Sequence, residues 1–227
     1  MTIANWIIFS LIIITAGLLI FAYIKKISIL KKICAGLIIP LFAALDILLL
    51  SNYLPDSLHL IKMTATALSL TTISTILITF EQKKLFRVSG RILVLAGAVF
   101  WILLYKSIFY IYKVPLWLII LMSVIYLGGL IATLIISGKQ RPLIYVLFTL
   151  CFALSAYLHF CSFIFLCFER RISSVLLFCG ASLFLGLTAF HFINQTKLKI
   201  KHATAIRYSL IVASQVLIAC SNILLIR

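Results

Sequence analysis

Acidic residues are almost missing from this sequence: four Asp and Glu stand against 20 Lys and Arg in 227 residues. Charge of either sign is also scarce, at 11%, where soluble chains carry about 25%. With 65% apolar residues, these shortages exclude a cytosolic enzyme and a disordered chain, which needs low hydrophobicity. The six cysteines form no Cys-x-x-Cys pair and lie inside apolar runs. That excludes a disulfide scaffold and points to small apolar side chains rather than metal ligands. No metal site and no cofactor is expected. The basic residues sit in short clusters between apolar runs instead of forming a basic module, so nucleic acid is not an expected partner.

What remains is a run of long apolar segments. They lie at about 3–24, 33–50, 60–80, 92–112, 115–137, 142–168, 172–192 and 203–226. A spanning helix takes about 20 residues. Solid runs of that length, without strict alternation, are helices and not barrel strands. The expected fold is all-α: a polytopic integral membrane protein, one transmembrane domain over 1–227, built as a bundle of eight transmembrane helices. Pro115 and Pro142 open two of the runs, as first-turn prolines do. The first run has no basic residue before it and Lys25 and Lys26 after it. That is the reverse of a secretory signal, so the run reads as an uncleaved span.

Orientation comes from counting Lys and Arg by connection. The first, third, fifth and seventh connections carry four, four, two and three. The others carry one or two, even with Lys62, Lys106 and Lys113 included. The bias puts the odd connections in the cytoplasm and both termini outside, in the cell membrane.

Few ionisable residues fall inside the runs, and such residues are by default functional candidates. Asp46, late in the second run, reads either as an interfacial acid near Asn52 and Asp56 or as a buried acid facing a cavity. His159 reads as interfacial or hydrogen-bonded, with Tyr157 as an aromatic neighbour. His191 lies three residues beyond Thr188, on the same helix face. Lys106 can snorkel to the surface. The third run is rich in hydroxyls, and Thr71, Thr75 and Thr79 form one stripe at helical spacing. Such a stripe serves close packing or lines a polar pocket. Gly90, Gly97, Gly128, Gly129, Gly180 and Gly186 suggest close packing as well.

Several segments resemble, in order, those of the YhhN-like (lysoplasmalogenase) family of eight-helix membrane proteins. Ser214–Ile218 reads Ser-Gln-Val-Leu-Ile, similar to the family's terminal Ala-Gln-Leu-Leu-Ile. Gly180–Phe184 reads Gly-Ala-Ser-Leu-Phe, like its Gly-Ala-x-Leu-Phe. Pro142-Leu-Ile-Tyr145 resembles the start of a family helix that carries a Tyr there. Leu95–Trp101 is similar to a segment with Gly-His and a nearby Tyr. The resemblance covers most of the chain. It implies a membrane lipid or lysophospholipid as partner and hydrolysis of the vinyl-ether bond of lysoplasmalogens.

The resemblance also places two family acids at positions held here by Thr75 and Thr188, and the family His at Ala98. Gln215 is retained. Thr75, Thr188 and Gln215 are therefore expected to mark a pocket, with the two threonines facing each other. Vinyl-ether hydrolysis protonates an alkene carbon, and a threonine hydroxyl is too weak an acid for that. A hydrolase would have to use Asp46, with His191 assisting, or Glu81 or Glu169 folded back to the pocket. The alternative is a non-catalytic lipid-binding or interaction protein on the same fold. A small transporter would be expected to show an internal repeat, and none is visible between residues 1–113 and 114–227.

Overall fold

The computed structural model describes residues 3–53, 62–67, 69–70, 73–74, 84–109, 114–138, 142–196, 200 and 203–225. It is all-helical, with no strand among the described residues. The named helices are α1 (Ile3–Ile24), α2 (Ser28–Tyr53), α3 (Lys84–Phe109), α4 (Leu116–Ser137), α5 (Pro142–Glu169), α6 (Ile172–Thr196) and α7 (Ala203–Leu225). Residues 62–67, 69–70 and 73–74, within the expected third run, are helical too. Four stretches are long and apolar enough to cross a membrane: Ser28–Leu48, Leu116–Ser137, Pro142–Glu169 and Ile172–Asn194. Trp6–Ala22, Ile92–Leu103 and Ser209–Asn222 are shorter apolar helical stretches.

Apolar runs locate the helices well and their ends less well. α1 matches its run. α2 begins five residues ahead of its run and takes in Lys31 and Lys32, while α3 begins eight residues early, at Lys84. Lysine is a good helix former, so basic residues that end an apolar run do not end a helix. Pro142 is the first residue of α5, as expected. Pro115 is instead the extended N-cap of α4, with φ −67° and ψ 138°. Pro40 sits inside α2, where it has no N–H to give the carbonyl of Gly36.

The chain divides into two compact units, Met1–Leu104 with Ala219–Arg227, and Tyr105–Ile218. In the first, α1 packs on α2 through a three-residue corner. Lys26 adopts a left-handed φ of 58° there, and the amides of Lys25 and Ile27 donate to the carbonyls of Phe21 and Ala22. Ser74 donates to the carbonyl of Gly90 on α3 at 2.7 Å.

In the second unit α4, α5 and α6 pack on one another. Phe148, Phe152, Ala156 and Phe192 form a buried cluster, with the rings of Phe148 and Phe192 stacked at 3.8 Å. Tyr145 donates to the carbonyl of Gly138, which ends α4. A tight corner at Arg170–Arg171 joins α5 to α6. Ser174 closes it, accepting from the Arg171 amide at 2.9 Å and donating to the Arg171 carbonyl at 2.8 Å.

The glycines divide. A methyl at Gly180 would lie 2.8 Å from Ile218 Cγ1, 3.0 Å from the Ser214 carbonyl and 3.2 Å from the Ile218 nitrogen. Gly180 therefore packs α6 directly on α7, and Ser214 donates to its carbonyl at 2.9 Å. Gly128 and Gly186 meet nothing within 4 Å, and Gly129 makes only an ordinary contact with Phe152. The expectation of close packing is corrected at Gly128 and Gly186, where an added methyl would meet none of the described residues.

Candidate functional site

Two groups of polar side chains interrupt the apolar interior, one in each unit. In the first unit, Asp46 is fully buried, at 0% exposure. Of the two readings of Asp46, the exposure is that of the buried acid. The side-chain amide of Asn222 on α7 lies beside it, and Cys220 is nearby. Neither carboxyl oxygen has a donor at full hydrogen-bond geometry. Among the described residues no cation acts on the group. Burying an unpaired charge is expensive.

The second group is a polar seam between α5 and α6, reached by one side chain from α4. Tyr126 and the Nδ1 of His159 lie 2.7 Å apart. The Nε2 of His159 and the Oγ of Ser182 lie 3.0 Å apart. Ser182 gives its single proton to the carbonyl of Phe178 at 2.7 Å. It must therefore accept from Nε2–H, which leaves Nδ1 of the neutral ring to accept from the Tyr126 hydroxyl. That assigns the tautomer by hydrogen-bond logic. Phe178 also packs on the imidazole at 4.8 Å, while Tyr126 meets it edge-on at 5.8 Å.

One turn away on α5, Ser155 meets Thr188 at 2.9 Å. Each hydroxyl also reaches its own helix, Ser155 to the Cys151 carbonyl and Thr188 to that of Phe184. Two protons serve three contacts, so the pair holds α5 to α6 and offers no proton of moderate acidity. Ser155 and His159 are four residues apart and share one face of α5.

The expected site residues therefore lie in different surroundings. Thr188 faces Ser155. His191 is half-buried one turn further along α6. Gln215, on α7, is buried, and its side-chain oxygen finds no donor among the described residues. Glu169 turns to Arg171 at 3.3 Å, at the end of α5. Thr75, Thr71, Thr79 and Glu81 lie outside the described residues, and so does the expected approach of Thr75 to Thr188. Ala98 is buried on α3.

The sequence reading missed Tyr126, Ser155 and Ser182. The i, i+4 pair Ser155 and His159, followed by Ser162, was a visible polar stripe in an apolar helix. Its partners on α4 and α6 carried no local signal. Tyr157, the expected neighbour of His159, is exposed, because two residues along a helix turn a side chain to the other face. No family model, no curated protein and no solved structure matches this chain.

Proposed function

We propose that this chain is an eight-span integral membrane protein of the cell membrane that acts on a membrane lipid, with both termini outside the cytoplasm. The reaction that its motif likeness favours is hydrolysis of a lysoplasmalogen vinyl ether. The observation that carries the reading is Asp46, a fully buried carboxyl with an amide neighbour and no ion-pair partner among the described residues. Its protonated form would give a proton to the vinyl-ether carbon remote from oxygen, leaving an oxocarbenium ion. Water would add to that ion as the Asp46 carboxylate takes the water's proton. The resulting hemiacetal would collapse to an aldehyde and the free glycerol hydroxyl. Asn222 would orient the carboxyl through both steps.

Turnover of lysoplasmalogen by the purified chain tests this reading. Loss of a general acid–base group costs about 10²–10⁴-fold, so Asp46→Asn should fall by that factor. Glu169→Gln should not, since Glu169 is engaged with Arg171, and Glu81→Gln serves as a further comparison. Robust turnover by Asp46→Asn would remove the assignment.

A second reading, a non-catalytic lipid-binding protein, is favoured by the seam. There Thr188 stands in hydroxyl contact with Ser155 and without an acid. Wild-type protein that binds vinyl-ether lipids without turning them over would select it.

A further inference from the structure

Twenty basic residues face four acids, so internal pairing leaves at least 16 positive charges that the chain cannot neutralise for itself. The best described concentration of basic residues is the corner between α1 and α2. Lys25, Lys26, Lys31 and Lys32 fall within eight residues, and no acid occurs before Asp46. Asp46 is no counter-ion for them: it lies 14 residues beyond Lys32, about 21 Å along the helix at 1.5 Å per residue, and is fully buried.

Backbone geometry fixes this corner. The three-residue turn is closed by the amides of Lys25 and Ile27, with Lys26 in the left-handed region. Lys25, Lys26 and Lys32 are exposed. Lys31 and Lys32 stand in the opening turns of α2, where the positive end of the helix dipole adds to their charge instead of offsetting it. The side chains between them are apolar and equally open: Ile24 is 71% exposed, Ile27 41%, Ile29 70% and Ile33 52%.

We propose that the α1–α2 corner is a binding site for the headgroup of an anionic phospholipid. A free anion would satisfy the lysines and leave the isoleucines in water. A lipid satisfies both, with its phosphate among the ammonium groups and its chains against Ile24, Ile27, Ile29 and Ile33. Lysine stems are long enough to bridge the two depths. The site requires only that α1 and α2 lie in a bilayer, and it stands whatever Asp46 does.

The test uses the full chain in bilayer discs of phosphatidylcholine with increasing phosphatidylglycerol, with retained lipid counted by native mass spectrometry. The wild type is expected to retain phosphatidylglycerol in preference to phosphatidylcholine. Each lysine near an anionic surface contributes about fivefold at low salt. The triple change Lys25→Gln, Lys26→Gln, Lys32→Gln should therefore lower the preference on the order of a hundredfold. Arginine at the same three positions should keep it, which guards against a variant that merely fails to fold. Removing equal charge at Lys197, Lys199 and Lys201 should leave it unchanged.

Three results would overturn the site. The wild type could show no preference, both triple glutamine variants could lose it equally, or excess inorganic phosphate could displace the lipid. Failure of the chain to enter phosphatidylcholine discs at all would overturn the membrane reading and the site with it.

Discussion

Alanine at Gly180 is the sharpest probe of how the second unit is held together. Its methyl would lie 2.8 Å from Ile218 Cγ1, 3.0 Å from the Ser214 carbonyl oxygen and 3.2 Å from the Ile218 amide nitrogen. Two of those three atoms are backbone, so no rotamer change relieves the contact and α6 must move away from α7. Overpacking of this kind costs about 1–3 kcal/mol. The movement also stretches the hydrogen bond from Ser214 to the Gly180 carbonyl, and such bonds between membrane helices are worth about 0.6 kcal/mol. Against this, Gly to Ala in a helix gains up to about 1 kcal/mol.

The net expectation for Gly180→Ala is a destabilisation of about 1–2 kcal/mol. Gly186, on the same helix, meets nothing within 4 Å. Gly186→Ala should keep only the propensity gain and be neutral or stabilising. The difference between the two, about 2 kcal/mol, cancels the propensity and isolates the packing. Unfolding in mixed micelles of rising denaturing-detergent fraction, followed by helical circular dichroism, measures both. Adding Ile218→Ala to Gly180→Ala should rescue only in part, because it removes one contact of the three. Equal shifts in the two glycine variants would refute the reasoning.

The neutral chain through His159 predicts a ring protonated at Nε2, which nitrogen-15 NMR of labelled protein reads directly; an Nδ1–H ring would reverse the assigned bonds. A double-mutant cycle of Tyr126→Phe with His159→Phe should show a coupling of about 0.6 kcal/mol, the average for such bonds in a membrane. A reporter fused at Lys83–Lys84 should read as cytoplasmic, and an external reading would sink the proposed orientation.

Much of the helix pattern was legible because long apolar runs without strict alternation fold as helices. α1 shows this best, since lysines close its run just where its hydrogen bonding gives way to a turn. α2 and α3 show the limit, because hydropathy marks where a segment leaves the apolar layer and says nothing of where helical hydrogen bonding stops. The polar seam was half legible. Ser155 and His159 could be put on one face from spacing alone. That His159 meets Tyr126 and Ser182 depends on how α4 and α6 pack against α5, and these contacts span 33 and 23 residues. Burial of Asp46 was undecidable for the same reason: its environment comes from Asn222, far along the chain.

The hydroxyl bonds of the second unit bear on how the chain could be made. Thr133, Ser137, Ser155, Ser182 and Thr188 each donate to the carbonyl four residues earlier in their own helix. A segment carrying only such residues is already satisfied when it leaves the translocation machinery and meets lipid alone. His159 is different, since both its partners lie on other helices. During synthesis Tyr126 precedes it and is waiting when the imidazole arrives. Ser182 emerges 23 residues later. In a chain inserted helix by helix, one ring nitrogen would lack its folded-state partner between those moments, and α5 would have a reason to stay beside α4 until α6 follows. The histidine would then give the order of synthesis a physical role in building the bundle.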